Sequence, residues 1–149
     1  MIKKYKFKLS WQGLLAVALV MFPNVFYLFL SVEQDPLAAN SAAFWLWDVL
    51  ENVGRFGVMI SLIVLCRKAD VTTKMTGVCV IAIVALILYY VLWILYFTGN
   101  AGGMILTGLA VFPVVFFFCT ALLRRNAPAQ IFALLFGITH IAVTASNYL

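Results

Sequence analysis

Asp48, Glu51, Asn52 and Arg55 bring two carboxylates, an amide and a guanidinium into a run of residues that is otherwise apolar. Spaced by three, four and seven positions, they share one face of roughly 100° on a helix. Carboxylates in such a place can hold a proton or a cation, and a guanidinium can neutralise them or bind an anionic group. Ionisable groups at membrane depth are costly unless paired, hydrated or used, which makes this face the leading candidate for function.

A second polar face lies near the C terminus, where His140, Thr144 and Asn147 recur at four and seven positions. Asn24 is a third contributor, directly after Pro23 in the first apolar run. Counting about 1.5 Å per helical residue from Ser41, Asp48 lies roughly 10 Å below the outer boundary, Glu51 roughly 15 Å and Arg55 roughly 20 Å. His140 then falls near mid-membrane, and Thr144 and Asn147 climb toward the level of Asp48. The two faces are expected to meet around a water-reachable cavity open to the exterior and narrowing near Arg55.

Glu51 and Arg55 stand in the favourable order for an ion pair within one helix, which is a purely structural use of two charges. Asp48 is left over and needs water, a proton or protonated His140 as its partner. Counting Asp48, Glu51 and Arg55 as ionised gives a local charge of minus one. That favours a small transporter or channel-like carrier for a cationic, amine or proton-coupled solute. Two other readings stay open. One is a noncatalytic membrane subunit, or a module binding lipid or a small molecule; the other is an intramembrane enzyme acting on a lipid-like substrate, with His140 or Glu51 as acid or base. The enzyme reading lacks an HExxH, GxSxG or DDxxD motif. No metal site, cofactor or nucleic-acid partner is expected.

The elements that must position these residues are apolar helices. Two thirds of the chain is apolar (66%), with only 15 charged side chains among Asp, Glu, Lys and Arg, the profile of an integral membrane protein. The expected fold is all-α, a single domain over residues 1–149, a compact bundle of five transmembrane helices. Span-length segments fall at Trp11 to Val32, Ser41 to Cys66, Met75 to Phe97, Gly102 to Leu123 and Pro128 to Tyr148, each about 20 residues or more. The second is the least apolar, and lying in the interface as far as Leu50 is the alternative reading of its start. Every Lys and Arg except Arg55 falls on one side of the five spans. The positive-inside rule makes that side cytoplasmic, with the N terminus inside, the C terminus outside, and a prokaryotic-type inner cell membrane as the setting. No cleavable signal peptide is evident.

Short connections predict that consecutive helices are antiparallel neighbours. Gly54, Gly57 and Ser61 form a smooth stripe, read as roughly opposite the charged face and suited to another helix, a homodimer or a partner subunit. Pro23 and Pro113 each remove a backbone donor and free a carbonyl. Tyr89, Trp93 and Tyr96 form a stripe for packing or for the cavity wall, while Trp11, Trp45, Trp47 and Tyr148 fit anchoring at the interface with membrane lipids. Cys66, Cys79 and Cys119 are expected to be reduced fillers.

Overall fold

The computed structural model describes residues 5–30, 35–68 and 76–149. Five helices dominate these residues: α1 (Trp11–Tyr27), α2 (Trp45–Val64), α3 (Thr76–Phe97), α4 (Gly103–Leu123) and α5 (Ala127–Tyr148). Two short strands, β1 (Tyr5–Phe7) and β2 (Leu65–Arg67), complete the order β1, α1, α2, β2, α3, α4, α5. Among the described residues three helices, α3, α4 and α5, are long and apolar enough to cross a membrane. The apolar α1 is shorter, with 17 residues. Helix α2 has 20 residues but carries Asp48, Glu51 and Arg55.

Several expected boundaries move. The first helix ends at Tyr27, and part of its expected extension to Val32 lies outside the described residues. Helix α2 begins at Trp45 instead of Ser41, because residues 41–44 turn back so that the Ala42 N–H donates to the Asp48 carboxylate at 3.1 Å. It ends at Val64 because Leu65, Cys66 and Arg67 pair antiparallel with Phe7, Lys6 and Tyr5. The pairing was not expected from sequence, and it continues past the strands: Lys8 N–H donates to Val64 O at 3.0 Å and Ser10 N–H to Ile63 O at 2.7 Å. Ser10 then caps α1, its hydroxyl accepting from Gly13 N–H at 3.0 Å. Gly13 is required here, because a Cβ would stand 1.9 Å from the Leu62 carbonyl oxygen.

The consecutive-neighbour expectation fails at one place. Helix α2 packs chiefly on α5, with α1 on its other flank, while α3 packs on α4 and α4 on α5. Side-chain size explains the choice. A Cβ on Gly54 would lie 2.5 Å from the Phe136 amide nitrogen, and one on Gly57 would lie 2.3 Å from the Phe132 ring. The Gly54, Gly57 and Ser61 stripe, expected opposite the charged face and available to a partner, is therefore the seat of α5 within the same chain. It adjoins Glu51 on the buried arc formed with Val58 and Leu62.

Asn126 locks the turn between α4 and α5. It is buried, its Oδ1 accepts from Ala129 N–H at 3.1 Å, and its Nδ2 donates to the Ser61 and Leu65 carbonyls at 2.8 and 3.0 Å. Toward the end of the bundle that carries β1 and β2, Val58, Leu62, Ala121, Ala129 and Ala133 have no accessible surface (0% each). The opposite half is more open.

Candidate functional site

That open half contains a cavity of about 330 Å³, near the lower end of the roughly 300–1,000 Å³ typical of small-molecule sites. Glu51 and Arg55 reach it from α2, His140 and Thr144 from α5, and Asn24 from α1. The 35–41 segment contributes Leu37 and Asn40.

Glu51 is the centre of the polar wall. Its Oε1 accepts from Arg55 Nη2 within α2 and lies 3.1 Å from His140 Nδ1 across to α5. The close approach at Gly54 makes this possible, since it sets Phe136, one turn before His140, directly against α2. The Phe136 ring then organises both side chains: the imidazole stacks on it with centroids 4.8 Å apart, and the Arg55 guanidinium lies 5.5 Å from its centroid.

The four-residue face of α2 is divided. Glu51 is buried and Arg55 half-buried, but Asn52 is exposed and points away from the cavity. At about 100° per residue, the step from Glu51 to Asn52 carries that side chain out of the buried arc. Asp48 is also outside the cavity lining; its carboxylate serves the Ala42 N–H in the first turn of α2. His140, one of the three ways of satisfying Asp48 that the sequence left open, meets Glu51 instead. Asn147 is exposed at the rim, donating through Nδ2 to Asn40 Oδ1 at 2.8 Å and Ser41 O at 3.1 Å. Thr144 lies beneath it, buried, and accepts from Asn40 Nδ2 at 2.9 Å.

Asn24 is spent partly on its own helix. Its Nδ2 donates to Val20 O at 2.9 Å and to the Tyr89 hydroxyl at 2.8 Å, and Tyr89 donates to the same Val20 carbonyl at 3.2 Å. Pro23 deprives the Leu19 carbonyl of its helical donor. The Tyr90 hydroxyl replaces it at 2.8 Å. Tyr89 and Trp93 line the cavity, while Tyr96 is turned to a different task. Pro113 and Leu109, the residue whose helical donor Pro113 removes, both face the cavity.

Sequence reading missed the cover over this site. Asp35 accepts from the hydroxyls of Tyr27 and Tyr96, the latter at 2.5 Å, and from the Leu37 and Ala38 amides at 3.1 and 3.2 Å. Tyr148 donates to the Pro36 carbonyl. Burial raises the Asp35 pKa, but the two phenols and two amides outweigh it and hold the carboxyl below its usual value. The Asp-Pro step was the available signal, a turn-forming pair that ties α1, α3 and α5 together at the cavity mouth.

No protein-family model matches the chain, and comparison with curated proteins and solved structures likewise finds no match. The site's own chemistry carries the functional reading.

Proposed function

We propose that the chain is a small multi-pass membrane carrier whose cavity binds a small solute from the outer face. Five spans, a cytoplasmic N terminus and an external C terminus belong to this reading. Its support comes from surface chemistry. Val49, Val53, Phe56 and Ile60 expose an apolar strip on α2 despite its internal charges, as a lipid-facing helix requires. Lys6, Lys8, Arg67, Lys68, Arg124 and Arg125 gather at one end, where Tyr5 donates to Arg125 O at 3.3 Å and Arg124 to Gln12 at 2.6 Å. Trp11 stands exposed near that end and Trp45 at the other, fitting two interfaces.

The single observation that carries the proposal is the Glu51, Arg55 and His140 cluster inside a cavity, not packed solid between helices. A purely structural ion pair needs no such space. The test is labelling of Met59→Cys, on the cavity wall, in protein whose Cys66, Cys79 and Cys119 are replaced by alanine. A membrane-impermeant thiol reagent is expected to react from the outer face, and from the cytoplasmic face in inverted vesicles as the carrier cycles. No outer reaction, beside a reactive Asn147→Cys control, would refute the proposal.

A second reading, a solute-binding module that does not transport, is favoured by the solid packing around Leu62, Ala121 and Ala133. Reaction of Met59→Cys from the outer face alone would select it.

A further inference from the structure

Given the solute-binding role proposed above, the charge of the cavity and its unspent hydrogen-bonding groups define what it can hold. With Asp48 outside the lining, the ionised side chains on its wall are Glu51 and Arg55 among the described residues, and they sum to zero. Protonation of His140 would only add positive charge. A cation entering this site would therefore be left uncompensated in surroundings of low dielectric.

The pairing leaves specific atoms unused. Arg55 and His140 both address Oε1 of Glu51, and among the described residues no donor meets Oε2. Both N–H groups of Asn24 are committed, to Val20 O and Tyr89, so its Oδ1 is an acceptor without a donor among the same residues. The Arg55 guanidinium has five N–H donors, and its contact with Glu51 uses Nη2 alone. The wall thus offers unpaired acceptors and unpaired donors together, with no net charge.

We infer that the ligand is a zwitterionic aliphatic α-amino acid. Its ammonium donates to Glu51 Oε2 and Asn24 Oδ1, and its carboxylate accepts from the free N–H groups of Arg55. Glu51 and Arg55 touch each other, so the two charged groups of the ligand must also be close, as they are on a single carbon. Val20, Met21, Met59, Leu106, Leu109 and Phe117 complete the wall with apolar surface for the side chain. A zwitterion preserves the neutrality of the site, which neither a simple amine nor a simple carboxylate does.

The test is thermal unfolding of the purified full-length protein with L-leucine, L-valine and L-alanine, each beside its amide, which is a cation, and its N-acetyl derivative, which is an anion. At least one amino acid is expected to raise Tm by several degrees at about 100 times its Kd, with little response to its two derivatives. Arg55→Gln should abolish the shift. Met59→Phe, which fills the apolar wall and leaves the charges intact, should abolish it too, and a cooperative unfolding transition retained without ligand in both variants shows that each is still folded. Equal or greater stabilisation by an amide or an N-acetyl derivative would overturn the zwitterion while leaving solute binding standing. No response to any probe, in protein whose Met59→Cys form still reacts from the outer face, would overturn the ligand class alone; loss of that reaction as well would overturn both readings.

Discussion

His140 Nδ1 lies 3.1 Å from Glu51 Oε1, joining α5 to α2 at the same oxygen that Arg55 holds from within α2. One buried carboxylate thus links a contact within a helix to a contact between helices, on the wall of a cavity. The geometry depends on a residue with no side chain, because Gly54 sets the distance between the two backbones.

Gly54→Leu is expected to force α2 and α5 apart, since even a Cβ would stand 2.5 Å from the Phe136 amide nitrogen. Overpacking of this kind costs about 1–3 kcal/mol. Thermal unfolding in detergent should show a lowered Tm for this variant, and no loss for Gly77→Ala, where a Cβ meets nothing within 4 Å and alanine is the better helix former.

Glu51→Gln and Arg55→Gln should not be additive. Each single change strands a partner, while the double change strands neither, so a double-mutant cycle is expected to give a coupling energy in the range of about 0.5–3 kcal/mol. The lower part of that range is expected, because the Arg55 side chain is 35% exposed and can reach water. Additive losses would mean that the pair contributes nothing.

Tyr90→Phe should lower stability by about 0.5–1.5 kcal/mol, the usual net worth of one hydrogen bond. It removes the donor at 2.8 Å from the Leu19 carbonyl that Pro23 leaves without a helical partner. Restoring the helical donor with Pro23→Ala should make the same Tyr90 change less costly, as measured by unfolding of the double variant.

Much of this arrangement was legible in the sequence, and the misses have physical causes. Glu51 and Arg55 were readable as an i,i+4 pair, and the polar faces of α2 and α5 as partners, because helical periodicity fixes both. Periodicity alone does not say where the buried arc of a helix is centred. Gly54 and Val58 decide that, and their position turns Asn52 outward and leaves Asp48 at the first turn. The strand pairing of Tyr5–Phe7 with Leu65–Arg67 was illegible for a different reason: three-residue strands far apart in sequence carry no periodic signal. The cover around Asp35 joins three helices through single side chains, and such contacts appear only once the helices are placed.

Asp35 gives the cavity mouth a pH dependence whose sign follows from its lowered pKa. A carboxyl depressed by folding contributes stability above its unfolded value, roughly 3.9, and loses that contribution as pH falls through the folded value. Amide hydrogen exchange at Leu37 and Ala38, corrected for the intrinsic rate, should therefore accelerate below about pH 4. Asp35→Asn should exchange fast at every pH, and a pH-independent wild type would contradict the role given to Asp35.

His140 is the single histidine of the chain, so ¹⁵N-histidine labelling yields the signals of one imidazole. Above the pH at which the ring is protonated, NMR of the labelled protein is expected to show the tautomer with hydrogen on Nδ1, donating to Glu51, and Nε2 unprotonated. Glu51→Gln should shift the Nδ1 resonance strongly. A ring protonated on Nε2 and indifferent to Glu51→Gln would contradict the joining of α2 to α5 at Glu51 and His140.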